Sequence, residues 1–346
     1  MAPKKRFLTE KDLYIEQPTQ EQDGKLHPET EEMVDRIERI LLRPTCAPTA
    51  TAAPKNLQAA SAQMADWRKN HAAYKKANIE YLKTTLTENP ALLLAPGQEI
   101  FVELSFAAFG DHPDADMRSV MKTLLKDPQV LETVRQIDDI AFDLSAYGHY
   151  DPLKVLMKDK DFVKGAFSSV DTSIVGNALL HHGSKVANGR AKEGDQESVM
   201  DILGIVLKDK ELRTQLNPDD ETVLYECARY GNVQAFAEAI KYDDLRLYKN
   251  DDGKNIAVEV AWLLNGARQM NTDPEKKAMQ IAALEGCLKE CAKYEDLVSQ
   301  PTSTYSFEEQ KPFAEVVVEK KYLTQKELAA LMQPVAAHEA TEALPV

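Results

Sequence analysis

The chain has 346 residues, a net charge of −14 at pH 7, 43% apolar residues and four cysteines. That length suits two modest domains, and the acidic balance excludes a broad nucleic-acid surface, because phosphate contacts need basic side chains. Cys46, Cys227, Cys287 and Cys291 are too few for a disulfide framework and match no zinc spacing. They point to a reducing compartment. No run of about 18 apolar residues marks a membrane span, and Met1–Lys11 lacks the apolar core of a signal peptide. Lys4-Lys5-Arg6 reads as a solvated charged terminus.

Residues 1–30 are polar without periodicity and are expected to be disordered. Met33, Ile37, Ile40 and Leu41 recur at helical spacing and predict a short helix over 31–42. Prolines 44, 48 and 54 among alanine and threonine predict a linker. A long helix follows over about 56–87, with Ala60, Trp67, Tyr74 and Tyr81 every seven residues. His71 and Asn78 are poor coiled-coil knobs, so this stripe is expected to dock on the rest of a helical region spanning 56–134. Residues 91–109 are apolar, and their second part is expected to be a helix. The next helix has Met117, Val120, Met121, Leu124 and Leu125 inward. Asp127-Pro128 then reads as an N-cap with proline at the first helical position.

From 135 to 295 the chain repeats itself. Residues 140–149 and 223–232 align without a gap at a distance of 83, pairing Phe142 with Tyr225, Asp143 with Glu226, Tyr147 with Tyr230 and Gly148 with Gly231. Gly148, Gly183, Gly231 and Gly266 each follow a short apolar segment and predict four helix pairs. A second helix follows at once after Gly148 and Gly231. After Gly183 and Gly266 a polar loop is expected first, over 184–196 and 269–277. The expectation is therefore an all-α stack with an 83-residue double repeat, short pair then long pair, twice. Glycine suits each junction because a tight interhelical turn often needs positive φ, and stacking covers apolar faces that a single pair leaves bare.

Residues 219–240 resemble an ankyrin repeat. Thr222 stands at that family's capping threonine, Leu224 at its first core leucine, Cys227-Ala228 at its paired alanines and Gly231-Asn232 at its helix turn. Asp251–Ala261 resembles the start of a following repeat. The first unit keeps the Gly148-His149 turn, with Ser145-Ala146 one residue nearer to it, and the second keeps only Asp171-Thr172 and Gly183. The resemblance implies a curved stack whose first helices and loop tips bind other proteins. Beyond it, 306–333 is expected to be a C-terminal helical hairpin that caps the stack or docks a partner. Ser306/Glu309 and Thr324/Glu327 both have the capping-box pattern, and the tail from 334 to 346 is expected to fray.

Catalytic and metal signatures are missing from the sequence. His181-His182 are adjacent, so they diverge by about 100° on a helix, whereas a helical zinc pair wants a four-residue spacing. Cys287 and Cys291 share a helix face but find no matching ligand pair and read as core. Asp138-Asp139, Asp219-Asp220 and Asp251-Asp252 precede helices and are expected to cap them. Lys185, Arg190 and Lys192 make a basic loop without phosphate-loop spacing. Trp262 is either an exposed anchor or core. Its alignment with Leu179 favours core.

The expected function is non-enzymatic protein–protein interaction, without cofactor, nucleic acid or membrane insertion. The candidate contacts are Phe142, His181, Lys185, Arg190, Tyr225, Trp262 and Arg268. A helical scaffold that self-associates is the second reading. The expected location is cytoplasmic, with an effector exported without a signal peptide and acting on a host protein as the alternative.

Overall fold

The computed structural model describes residues 28–44, 57–95, 99–110, 113–137, 139–166, 173–191, 193–217, 219–305 and 308–332. Among these the chain is all-helical, with two isolated antiparallel bridges, Lys249–Asn255 and Thr302–Lys311. No helix among them is long and apolar enough to cross a membrane. The chain divides into two compact units at Lys158/Asp159, inside the segment expected to be one repeat array.

The first unit holds α1 (Pro28–Leu42), α2 (Leu57–Glu88), a 3-10 turn (Pro90–Leu94), α3 (Ile100–Phe109), α4 (Ala115–Leu124), α5 (Pro128–Val134), α6 (Ile140–Ala146) and α7 (Tyr150–Leu156). Helix α1 begins inside the stretch expected to be disordered, and Thr30 is already buried. The expected disorder before it, the linker over 45–56 and the frayed tail lie outside the described residues. Helix α3 lies among α1, α4 and α6, and α2 packs on α4 and α5. The α2 stripe differs from expectation. The buried residues are Asn78, Ile79, Leu82, Thr85 and Leu86, and no described residue from 60 to 77 is buried. Asn78, poor for a coiled coil, suits docking because its side-chain amide donates to the Pro44 carbonyl at 2.9 Å. Asp127 caps α5 as expected, its carboxylate accepting from the amides of Gln129 and Val130.

The second unit holds α8 (Lys160–Ala166), α9 (Ile174–Ala187), α10 (Asp195–Lys208), α11 (Lys210–Arg213), α12 (Val223–Arg229), α13 (Val233–Ala239), α14 (Asp243–Arg246), α15 (Ile256–Gln269), α16 (Pro274–Ala292), α17 (Glu295–Ser299), α18 (Phe313–Glu319) and α19 (Gln325–Leu331). Helices α9, α12, α15 and α18 pack in that order as one layer, and α10, α13, α16 and α19 as the other. The C-terminal hairpin is thus the last layer on α15 and α16. It starts at Phe313, while 308–312 are not helical, and Ser306 lies outside the described residues. Thr324 and Glu327 form the expected capping box.

The 83-residue recurrence holds at its turns. Gly148 donates to Ser145 O and His149 to Leu144 O, while Gly231 donates to Ala228 O and Asn232 to Cys227 O, with φ of +72° and +65° at the two glycines. Gly183 and Gly266 behave otherwise. Both lie inside helices that run on to Ala187 and Gln269, and neither has positive φ. Much of the two expected polar loops is therefore helix. Asp273 caps α16, and Pro274 occupies its first turn. Acid pairs do not cap here: Asp139 and Asp220 take left-handed φ, Asp219 pairs with Arg229 and Asp252 with Lys254. In the second unit the side-chain caps include Asp159, Ser173, Asp209, Asn232, Asn255, Asp273 and Thr324.

A second period, of 33 residues, appears in the second unit. The turn Asn217–Glu221 recurs as Asn250–Lys254. Each asparagine side chain accepts from the amide four residues on, and each asparagine carbonyl accepts from a residue at positive φ, Asp220 or Gly253. The short helices α11 and α14 repeat too. Arg213 donates twice to Asp244, at 3.0 and 2.7 Å, and also to Leu207 O, and stacks on Tyr242. Arg246, 33 residues later, donates to Asp296 and to Ile240 O and stacks on Tyr294. One layer earlier, Lys160 and Lys164 pair with Glu211. Each basic side chain thus staples its short helix to the next.

Arg246 has a side chain only 9% exposed and fixes both a carboxylate and a helix-end carbonyl. Replacing it by alanine strands these partners and is expected to cost on the order of 2–3 kcal/mol. Lys241→Ala, at an exposed pair with Glu238, is expected to stay within about 0.5 kcal/mol. Equal losses in denaturant titrations of the two variants would contradict the staple.

Candidate functional site

The site arises from unequal helix lengths in the second unit. Helices α9, α12 and α15 begin at Ser173, Thr222 and Asn255, and side chains from the start of α12 reach both neighbouring starts, Glu226 to Ser173 and Tyr225 to Lys254 O. Helix α12 has 7 residues, and α9 and α15 have 14 each. In the second layer α13 has 7 residues, between α10 with 14 and α16 with 19. The short middle pair leaves a notch of about 730 Å³ over its Tyr230–Gln234 turn. The C-terminal part of α9 forms one wall, with Leu180 and Val186. The N-terminal part of α16 forms the other, with Lys276, Met279 and Ala283. Leu180, Val186 and Met279 are all exposed.

Close packing defines the floor. Gly231 at φ +65° lies under α16, where a Cβ would stand 3.2 Å from Ala283 Cβ. Gly286 faces Val233, where a Cβ would come within 2.9 Å of the side chain. Gln196 and Asn232 exchange side-chain hydrogen bonds at 3.2 and 3.1 Å, fixing α10 to the turn. Across the mouth, Lys276 Nζ donates to Asn188 Oδ1 at 3.4 Å.

At the other end of the helices lies a buried polar cluster. Glu226 accepts from the Ser173 amide, the Ser173 hydroxyl and the Asn217 side chain. Gly176 makes room for it, since a Cβ there would meet Glu226 Oε1 at 2.7 Å. Burial pushes the carboxyls of Glu226 and Glu259 upward. Glu221, ion-paired to Arg229, is pushed up to about 7 by burial, which the arginine only partly opposes. No group of three or more His, Cys, Asp or Glu among the described residues is placed to hold a metal ion.

The sequence candidates disperse. Tyr225 is 1% exposed, its hydroxyl donating to Lys254 O at 2.7 Å and its ring edge-on to Tyr248, so it is core and not a contact residue. Phe142 is half-buried on α6 in the first unit. His181 is half-buried on α9. Lys185 reaches Asp195 at 3.5 Å, and Arg190 is exposed just beyond α9. Arg268 ties α15 to Glu285 of α16 and Glu327 of α19. Trp262 is 44% exposed beneath Lys254, whose ammonium lies 4.8 Å from the ring centroid. The core reading of Trp262 fails by one residue of register. Counted from the caps Ser173 and Asn255, Trp262 matches Leu180, 47% exposed, and not Leu179. Lys276 was missed because the polar run before Ala278 reads as loop, whereas Met279 falls inside the helix expected over 278–292 but off its expected inner face of Ile281, Leu284, Leu288 and Cys291. The N-cap and proline of Asp273-Pro274 were the signal that could have found Lys276.

Because Glu221 has its carboxyl raised from 4.5 to about 7, its protonated form favours the fold. That contribution is complete below about pH 4.5 and is lost as pH rises through about 7. Glu221→Gln keeps the uncharged amide at every pH. The stability of the variant relative to wild type is expected to rise from pH 5 to pH 8 in thermal melts. A pH-independent difference would contradict the assignment.

Compared with known proteins, the chain matches no family model, no curated protein and no solved structure.

Proposed function

We propose that the second unit is a non-enzymatic, ankyrin-like protein-interaction module whose contact surface is the notch over the α12–α13 turn. The carrying observation is the 33-residue recurrence of the turn, of the first-helix start at Thr222 and Asn255, and of the short stapled helix. A turn followed by two helices at that unit length characterises ankyrin repeats. Support also comes from the paired layers α9/α10, α12/α13, α15/α16 and α18/α19, because such arrays bury a core between neighbours and leave an extended face for partners. Three exposed apolar side chains around one concave notch are what a partner would cover. A second reading, self-association through the first unit, rests on α2, which buries no described side chain between 60 and 77 and exposes Met64.

The test is affinity capture by the full chain from its own cell extract. Leu180→Asp places a charge on an exposed notch wall without touching the core, so its melting temperature is expected to match wild type. The interaction reading expects a specific protein captured by wild type and lost by this variant. Capture identical for both, or none beside a wild-type chain that sediments as an oligomer, would favour the scaffold reading.

A further inference from the structure

The second unit carries a sharper statement about what the notch accepts, resting on the interaction reading above. The chain has 56 acidic and 42 basic residues, yet among the described residues no Asp or Glu lines the notch. Arg229 is the one lining cation with ion-pair partners, Asp219 and Glu221. Lys276 Nζ forms no ion pair among the described residues and donates to Asn188 Oδ1. Arg190, two residues beyond Asn188, likewise forms no ion pair among the described residues and is exposed. Of the acids bordering the notch in sequence, Asp195 binds Lys185 and Asp273 accepts from the amides of Glu275 and Lys276, while Glu193, Glu197 and Glu275 are exposed outside its lining. Burial lowers the His182 pKa below its ordinary value, so that ring adds little charge at neutral pH. An apolar notch lined by Lys276, with Arg190 two residues beyond the Asn188 that Lys276 contacts, is thus set into a chain of net charge −14.

We propose that the notch binds an acidic amphipathic peptide segment of a partner protein. Its apolar side chains lie between Leu180, Val186 and Met279, and its carboxylates meet Lys276 and Arg190. The apolar walls supply contact area. The two cations select the sign of the partner and speed its arrival, since rim charges act chiefly through specificity and association rate. A basic segment gains the same burial but meets like charge. The Lys276–Asn188 contact breaks when the segment enters, and Lys276 exchanges a neutral acceptor for a carboxylate, the stronger bond.

The test uses the full chain and two fluorescein-labelled synthetic helical peptides of identical leucine positions, one with glutamate and one with lysine on the polar face. Fluorescence anisotropy is expected to show saturable binding of the glutamate peptide and none of the lysine peptide. Affinity should fall with added salt. The double variant Arg190→Glu/Lys276→Glu, both exposed positions, is expected to lose affinity for the glutamate peptide by about tenfold or more and to gain binding of the lysine peptide. Leu180→Asp is expected to abolish binding while keeping its melting temperature. Binding of the lysine peptide by wild type that Leu180→Asp abolishes overturns the acidic partner and leaves the interaction module standing. No binding of either peptide, or glutamate-peptide binding unchanged by both variants, overturns the proposal. If cell-extract capture is also insensitive to Leu180→Asp, the interaction reading falls with it. Wild-type dimers that dissociate in the Leu180→Asp variant would assign the notch to a second copy of the chain and overturn the proposal as well.

Discussion

Helix length is the constraint on which the second unit depends. At about 1.5 Å per residue, a seven-residue helix stops about 10 Å short of a fourteen-residue neighbour. Layers that start level must show the whole difference at the far end. Here the stapled turns sit at the starting end. Glu226 holds the Ser173 cap, and successive turns are tied by Tyr248 to Asp220 and by Thr302 and Ser303 to Gly253 and Asp252. Arg213 and Arg246 lock the short helices that follow the second layer. The opposite end has two polar links across the gap, Gln196 with Asn232 and Lys276 with Asn188. One end is fixed, and the other is left open as a notch.

The stapled end is polar and buried, an arrangement that is costly unless every group finds a partner. Repetition solves this economically. The same arginine position meets an acid, a helix-end carbonyl and a tyrosine ring in two successive layers. Burial, with the neighbouring carboxyls of Glu259, Asp219 and Glu226 adding to it, keeps the Glu221 pKa raised despite Arg229, and burial raises Glu226 and Glu259 as well. The open end carries the opposite chemistry, apolar side chains with Lys276, which forms no ion pair among the described residues.

Much of this was legible from residue types. Short and long pairs follow from the 83-residue alignment, and the turns at Gly148 and Gly231 repeat it at the level of single hydrogen bonds. Glycine was a false marker at 183 and 266, because a glycine inside a helix breaks the apolar pattern without ending the helix. That error moved the register by one residue, placed Trp262 in the core and turned the α9 and α16 extensions into loops. Tyr225 failed for another reason. An aromatic with a hydroxyl looks like a contact residue, but a backbone carbonyl such as Lys254 O satisfies it in the interior. The Leu-Arg pairs at 212–213 and 245–246, 33 residues apart, are plain in the sequence. Their partners Asp244 and Asp296 are separated by 52 residues because the long pair intervenes, and only packing relates them.

The most direct measurement of the central claim is amide hydrogen exchange on the full chain with and without the glutamate-faced peptide. Added protection is predicted in 180–190, 230–234 and 274–283, the two walls and the floor of the notch, with the stapled turns at 217–222 and 250–255 unchanged. Protection centred on those turns, on the first unit or nowhere would contradict the account.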